Sequence, residues 1–327
     1  MDLDPIDRRL LENWQRDFPL EPRPFSVLAA ALGLGEAEVV GHVRRLRQRG
    51  FISRLGGTCR PNTAGASTLA AMAAPPAEIE AVAAVIDAEE GVNHSYLRDH
   101  AWNLWFVATG PDRAHVDAAL ARISRRTGLR VLDLPLVRPF NVDLGFSFDG
   151  AAPPPAPRPL RREAVRAGDA VILQGLCEGL DITTRPYAAL ARSCGRSEAA
   201  VIARIGALLE AGVIGRLGVI VRHRALGWTS NAMVVWDAPE ARIAVAGPRL
   251  ARMPGVTLCY ERRCAGPDWP YRLYCMIHAR SREDALATLD RAEAAAGLDG
   301  CPSQVLFSLR CFRQRGALIS LGEGAAA

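Results

Sequence analysis

The feature that most constrains this chain is an internal repeat. The segment Arg23-Pro24-Phe25 returns 162 residues later as Arg185-Pro186-Tyr187, and residues 50–56 (GFISRLG) return at the same spacing as residues 212–218 (GVIGRLG). Farther along the chain the spacing grows, which indicates insertions in the second copy, most visibly at residues 265–270. Shared order over so many landmarks indicates two copies of one structural unit joined head to tail.

Each copy has the same local plan. Its first part has three helical segments followed by strands, which is typical of a winged helix-turn-helix. Gly33 and Gly50 are expected to end helices, and Ser197 is expected to cap one. The rest of each copy alternates strand, helix, strand, strand, helix and strand, the ferredoxin-like pattern. We therefore predict the α+β class, as a tandem duplication of a winged helix-turn-helix plus a ferredoxin-like module. The predicted boundaries are winged helix 1–62, ferredoxin-like domain 63–148, proline-rich linker 149–162, winged helix 163–224 and ferredoxin-like domain 225–327.

The composition limits the chemistry that the chain can perform. All 40 residues counted as lysine or arginine are arginine, which excludes lysine Schiff-base or general-base catalysis and leaves anion recognition to guanidinium groups. The net charge of +5 permits an anionic ligand without by itself indicating nucleic acid. The eight cysteines include no C-x2-C pair, so we expect reduced thiols and no metal site. The sequence has no apolar stretch long enough for a spanning helix and no signal peptide, so we expect a cytoplasmic protein without a membrane partner.

One segment of the first copy combines several residues that can perform chemistry. His94, Tyr96, Arg98 and His100 are spaced by two, so on a strand they point to one face. Trp102 shares that parity unless a turn around residues 99–101 breaks the strand. An ordinary core strand is the alternative, but two histidines, an arginine and a tyrosine make a poor core and a plausible binding face.

The second copy keeps only part of this set. Tyr260 and Arg262 remain, whereas Leu258 stands where His94 was and Cys264 where His100 was. We therefore expect the second copy to bind carboxylates more than to donate a proton. His223 has no counterpart in the first copy and either serves the second half or is solvated.

The sequence resembles a known family in several segments. The segment NHSYLRDHAWNLWF of the first copy, and CYERR, YRLYCMIHA and LFSLRCFRQRGA of the second, together with the helix ends LRQRGFI and LLEAGVI, resemble the Lrp/AsnC family and, more specifically, siroheme decarboxylases of the fused NirD–NirL type. The resemblance implies removal of two acetate carboxyl groups from siroheme to give 12,18-didecarboxysiroheme in heme d1 biosynthesis. Siroheme would be the substrate and no cofactor would be required. It also implies release of the product to other enzymes of that pathway, and a homodimer is an option.

Siroheme is a flat iron tetrapyrrole with eight carboxylates, so its site needs cations, aromatic walls and a proton source. Arginines near the ends of both copies are natural carboxylate partners. Which histidine donates the proton, whether one ligates iron and whether one or both halves act are left open. The candidate catalytic residues are His94, His100 and Tyr96, and the candidate substrate-binding residues are Arg98, Trp102, Trp105, Arg138, His223, Tyr260, Arg262, Arg310 and Arg313.

The main alternative is a DNA-binding transcription regulator that responds to a tetrapyrrole. The third helix of the first copy carries four arginines between residues 44 and 49, which suit phosphate contacts. The corresponding helix of the second copy offers Arg204 and then Glu210. Because a twofold reader of DNA needs two competent heads, we expect an enzyme without a DNA partner.

Overall fold

The computed structural model describes residues 3–142, 145, 148 and 158–321. Its helices and strands follow the predicted order in both copies, except that each winged helix contributes one strand instead of a pair. Short 3-10 turns occur at Pro76–Glu78, Arg162–Ala164 and His223–Leu226. The elements are α1 (Pro5–Asn13), α2 (Pro24–Leu32), α3 (Glu36–Gln48), β1 (Ile52–Cys59), β2 (Ala66–Met72), α4 (Ile79–Ala88), β3 (Val92–Arg98), β4 (Leu104–Gly110), α5 (Arg113–Thr127), β5 (Leu132–Asn141), α6 (Asp169–Glu178), α7 (Pro186–Ser193), α8 (Glu198–Glu210), β6 (Ile214–Val221), β7 (Ser230–Trp236), α9 (Glu240–Leu250), β8 (Val256–Arg262), β9 (Leu273–Ala279), α10 (Arg282–Ala296) and β10 (Ser303–Gln314).

The chain forms two compact units, and each unit takes residues from both copies. One unit comprises the described residues within 1–64 and 156–227, and the other comprises those within 65–155 and 228–327. The first unit holds both helix-turn-helix segments and the second holds both ferredoxin-like segments. Most of the predicted linker, residues 149–157, lies outside the described residues.

Local sequence signals explain where the helices of the first unit begin and end. Pro24 and Pro186 occupy the first turns of α2 and α7, where the missing N–H costs nothing. Gly33 ends α2 with a φ of 71°, and Gly50 follows α3 with a φ of 80°. The side chain of Ser197 accepts a hydrogen bond from the backbone N–H of Ala200, so the predicted cap is confirmed.

The strands of the first unit pair between the copies, and here one expectation is wrong. We expected a strand pair within each winged helix. Instead, β1 of the first copy pairs antiparallel with β6 of the second, with Gly56 opposite Gly218. A Cβ atom at Gly56 would lie 2.3 Å from the carbonyl oxygen of Leu176 in α6. The sheet therefore packs too closely on its neighbouring backbone to admit a side chain there.

The second unit is a closed barrel of eight strands. The strand order is β10-β3-β4-β2-β5-β8-β9-β7, closing back onto β10. β5 joins β2 of its own copy to β8 of the other, and β10 joins β7 to β3 in the same way. Alternate residues of each strand point inward or outward, and the outward residues pack against α4, α5, α9 and α10. The inward cluster draws on both copies: Leu69, Ala71, Trp105, Leu132, Leu134, Met233, Val235, Tyr260, Trp269, Tyr274, Met276 and Leu306.

Among the described helices, none is by itself long and apolar enough to cross a membrane. Within the part of the chain that the structure describes, α2 and α3 together meet the test by length and composition, with a bend of 98° between them.

Candidate functional site

Strand β3 directs a polar set into the barrel. A register shift between Val92 and His94 resets the pairing with β4, after which the strand alternates regularly. Ser95 points outward and its hydroxyl donates to Asp87 of α4 at 2.5 Å. His94, Tyr96 and Arg98 therefore share the inward face. The rings of His94 and Tyr96 stack 6.3 Å apart at 17°, and His94 Nδ1 lies 3.3 Å from the Tyr96 hydroxyl.

Two arginines occupy equivalent places in the two copies and bind across the repeat. Arg98 Nη1 donates to the carbonyl oxygen of Leu306 at 3.0 Å, and Arg262 Nη1 donates to that of Leu134 at 2.7 Å. Arg98 lies 5.6 Å over the Tyr96 ring. Arg262 lies 4.5 Å over its own tyrosine, Tyr260. Crosswise bonds of this kind hold both guanidinium groups at the inner wall.

Both arginines lie near Tyr260 of the second copy. Its burial raises its pKa, while the positive charges of Arg262 and Arg98 act in the opposite direction. The ring stacks on Tyr274 with centroids 5.7 Å apart. The interior thus contains two cations from different copies near one tyrosine, an arrangement suited to an anionic, flat ligand.

His100 lies beyond the end of β3, in the turn that would break the alternation. Its N–H bonds to the Arg98 carbonyl at 2.9 Å, so His100 and Trp102 do not continue the strand face. The backbone N–H of Trp102 donates to His100 Nδ1 at 3.0 Å, which assigns the proton of the neutral ring to Nε2. Burial lowers the pKa of His100, partly opposed by a backbone interaction with Trp102 and by the negative charge of Asp99. His100 is therefore neutral near pH 7.

A cluster of aromatic side chains lies beside His100. Trp105 is buried in the interior and its Nε1 donates to the carbonyl oxygen of Trp102 at 2.7 Å. Trp102 is half-buried against the same cluster. The sequence-based prediction included these two tryptophans but missed Trp269 and Tyr274, which the second copy contributes. The insertion at residues 265–270 contains Trp269, and this was the sequence feature that could have indicated an additional site residue.

Three predicted arginines lie on the outer side of the barrel. Arg138 stacks on Phe140 and donates to Glu261 at 2.8 Å, while Arg310 stacks on Phe312 and pairs with Glu80 at 2.5 Å. Arg313 donates to the backbone carbonyl groups of Asp87, in the last turn of α4, and of Glu89, which follows α4. The structure therefore separates these three from Arg98 and Arg262 and gives them partners within the chain.

Two family models match the chain, each of them twice. The AsnC-like ligand binding domain matches residues 64–141 and 225–313, and the siroheme decarboxylase NirDL-like HTH domain matches residues 7–52 and 169–214. The siroheme decarboxylase NirDL subunit of Paracoccus denitrificans (strain Pd 1222) is 55% identical over 321 residues, spanning 98% of this chain and 99% of that protein. The chain belongs to the siroheme decarboxylase NirDL family.

A half-length relative and a solved structure are also similar to this chain. The siroheme decarboxylase NirD subunit of Stutzerimonas stutzeri is 49% identical over 146 residues, which are 45% of this chain and 96% of that protein. A crystal structure of a siroheme decarboxylase NirDL in co-complex with an iron-uroporphyrin III analogue is 25% identical, with a TM-score of 0.68 over 96% of this chain and 95% of that one. The prediction of a decarboxylating enzyme on a duplicated Lrp/AsnC-like fold is confirmed.

The remaining sequence-predicted residues of this NirDL-family chain lie in the helix-turn-helix unit. His223 begins a 3-10 turn in that unit, so it is not part of the barrel set. Arg204 of α8 binds Asp169 through Nε at 2.7 Å and Nη2 at 2.5 Å. Asp169 is itself buried, so this guanidinium group serves the packing of α6 on α8.

Proposed function

We propose that this chain decarboxylates siroheme, removing two acetate carboxyl groups to give 12,18-didecarboxysiroheme. The observation that carries the proposal is the inward set of His94, Tyr96 and Arg98 on β3, opposed by Tyr260 and Arg262 on β8. Within one barrel it combines cations for carboxylates, aromatic rings for a flat macrocycle and a group that can donate a proton.

The two arginines suit carboxylates that remain on the substrate. A guanidinium group binds a carboxylate with two parallel hydrogen bonds, and both Arg98 and Arg262 are fixed by a backbone carbonyl. A carboxylate that leaves as CO2 benefits instead from surroundings that do not stabilise its charge. Trp102 and Trp105 provide such apolar surroundings near His100. In this proposal the two arginines bind the carboxylates that remain, and the tryptophans surround the carboxylate that is lost.

The chemistry requires one proton for each carboxyl group lost. Heterolysis of the C–C bond releases CO2 and leaves the electron pair on the methylene carbon, delocalised into the macrocycle, and a proton then forms the C–H bond of the methyl group. His94, beside the Tyr96 hydroxyl, is our candidate proton donor. His100 is a weaker candidate because its lowered pKa keeps it neutral.

The tautomer of His100 also bears on the substrate iron. A histidine that ligates a metal through Nε2 usually carries its remaining proton on Nδ1 and donates it to an oxygen. In this chain Nδ1 accepts the N–H of Trp102. We therefore assign His100 Nε2–H to a carboxylate that remains on the substrate instead of to iron. Siroheme is the substrate, and the proposed reaction includes no further cofactor because the macrocycle accepts the electrons.

The proposed partners are siroheme, its decarboxylated product and the next enzymes of heme d1 synthesis. A homodimer stays a prediction, as does the absence of DNA binding.

The test is anaerobic incubation of the purified chain with siroheme, followed by mass analysis of the tetrapyrrole. We expect loss of two CO2 units. His94→Leu, which installs the residue of the second copy, should bind siroheme but lose about 100-fold or more in turnover. Tyr96→Phe should lose less. His42→Gln, on α3 of the other unit, is the matched control and should keep full turnover. Unchanged siroheme under conditions where it binds would defeat the proposal.

A further inference from the structure

The insertion that lengthens the second copy carries a tryptophan into the barrel. Trp269 is 1% exposed. Its ring meets the His100 ring edge to face, with centroids 5.5 Å apart and planes at 89°, and lies 5.0 Å from the Trp105 ring. A side chain of the second copy thus packs directly on a histidine of the first.

We propose that Trp269 is a positioning residue, which holds the His100 imidazole in one orientation and one tautomer for the reaction. This inference rests on the proposed function. It also gives the second copy a part in the chemistry, although that copy has Leu258 and Cys264 at the positions of His94 and His100.

The loop around Trp269 is built to keep the indole still. Trp269 Nε1 donates to the Tyr274 hydroxyl at 2.7 Å. The backbone closes a tight turn, since the Ala265 N–H bonds to the Trp269 carbonyl at 2.9 Å and the Trp269 N–H bonds to the Gly266 carbonyl at 3.2 Å. The Tyr271 ring packs edge to face with the indole, with centroids 4.9 Å apart. Because the indole is fixed at its nitrogen, its backbone and its face, it can in turn fix the ring that it touches.

His100 has few other constraints on its ring. The Trp102 N–H fixes Nδ1 as an acceptor. Asp99 is the nearby charge, and it pairs with Arg282 at 3.3 Å. Burial is the larger influence and lowers the pKa of His100, so it outweighs the charge of Asp99. Removal of Trp269 would admit water to the ring and free it to rotate.

The test compares Trp269→Leu and Trp269→Phe with Trp236→Phe in the full chain. Trp236 is a matched control because it is 0% exposed, belongs to the second copy and donates through Nε1 to Glu293 at 2.7 Å, yet packs on the outer core. Nuclear magnetic resonance of ¹⁵N-histidine protein without substrate, with His100→Gln for assignment, gives the pKa and tautomer of His100. Turnover and KM for siroheme are measured in parallel.

We expect Trp269→Leu to raise the pKa of His100 toward its ordinary value and to mix its tautomers, with turnover reduced on the order of tenfold or more. Trp269→Phe should change the His100 titration and the turnover only slightly, and Trp236→Phe should leave both unchanged. Should Trp269→Leu not fold, Tyr274→Phe removes only the hydroxyl acceptor and should shift His100 in the same direction.

An unchanged His100 titration in Trp269→Leu, or an equal change in Trp236→Phe, would overturn the positioning role. A shifted titration with full turnover would also overturn it, because the ring position would not matter to the reaction. Failure of the wild-type chain to decarboxylate siroheme would overturn the proposed function itself. The substrate-free titration separates that failure from the others.

Discussion

At the scale of single residues, arginines at equivalent positions in the two copies form ion pairs that differ in burial. Arg138 donates to Glu261, a carboxylate that is 2% exposed and also accepts from Arg272 at 2.7 Å. Its counterpart Arg310 pairs with Glu80, and both of those side chains are more than half exposed. Water and salt screen the second pair, whereas neutralising the buried carboxylate removes the partner that Arg138 and Arg272 share.

This difference predicts the effect of neutralising each carboxylate. Glu261→Gln should lower the free energy of unfolding by about 2 kcal/mol, because it breaks a largely buried network. Glu80→Gln should lower it by less than about 0.5 kcal/mol. Urea unfolding followed by tryptophan fluorescence measures both, and equal midpoints for the two variants would contradict the assignment.

The same arginines show where a spacing of two residues no longer predicts which face of a strand a side chain occupies. For His94, Tyr96 and Arg98 the prediction of one shared face was correct, because β3 alternates regularly beyond residue 94. β5 and β10 instead contain register shifts, between Leu136 and Arg138 and between Ser308 and Arg310. Each shift resets the alternation of side chains. No feature of the sequence marks these positions, so the outward placement of Arg138 and Arg310 could not be predicted from it.

At the scale of elements, the sheet of β1 and β6 depends on glycine. A Cβ atom at Gly218 would lie 2.3 Å from the carbonyl oxygen of Trp14, the residue that follows α1. Val219 N–H also bonds to that carbonyl at 2.7 Å. The strand therefore lies directly against the backbone of the first copy. Gly215 of the same strand has open surroundings, with the nearest atom 3.6 Å from its Cβ position.

Alanine at these two glycines should have opposite outcomes. Gly218→Ala should destabilise the protein by about 1–3 kcal/mol, because backbone atoms must move apart. Gly215→Ala should be neutral or slightly stabilising, since alanine loses less backbone entropy than glycine on folding. Thermal unfolding of both variants provides the comparison. A stable Gly218→Ala protein would show that the close approach does not hold in solution.

The helices and strands followed from local signals, but their pairing did not. Capping residues, glycines and alternation identify each element within one copy, and they are similar in the other copy. Identical patterns cannot decide whether β1 pairs inside its own copy or with β6, so the expected strand pair was wrong. Trp269 was missed for a related reason. Its place against His100 depends on the closure of the barrel and not on its neighbours in sequence.

At the scale of the whole molecule, each copy depends on the other to complete its sheets. β1 has its pairing partner in the second copy, and the outer edges of β5 and β3 are completed by β8 and β10. One copy alone would expose these edges, which are sites of association with other chains. The half-length NirD relative of Stutzerimonas stutzeri shows that a single copy occurs as a separate subunit.

Separate production of the two copies tests this dependence. Segments 1–148 and 158–327, produced together, should form a one-to-one complex, because the strand pairings connect the copies without a covalent link. The reference is the full-length protein with a protease site inserted within residues 149–157, cleaved after purification. The complex should decarboxylate siroheme at a rate close to that of this cleaved protein. Each segment alone should self-associate or aggregate and lack turnover, since Arg98 and Arg262 would then not lie in one barrel.

Size-exclusion chromatography with light scattering, combined with mass analysis of the tetrapyrrole, measures assembly and activity together. A monomeric segment 1–148 that unfolds cooperatively and turns over siroheme would contradict the need for both copies, and would assign the reaction to the His94 half alone.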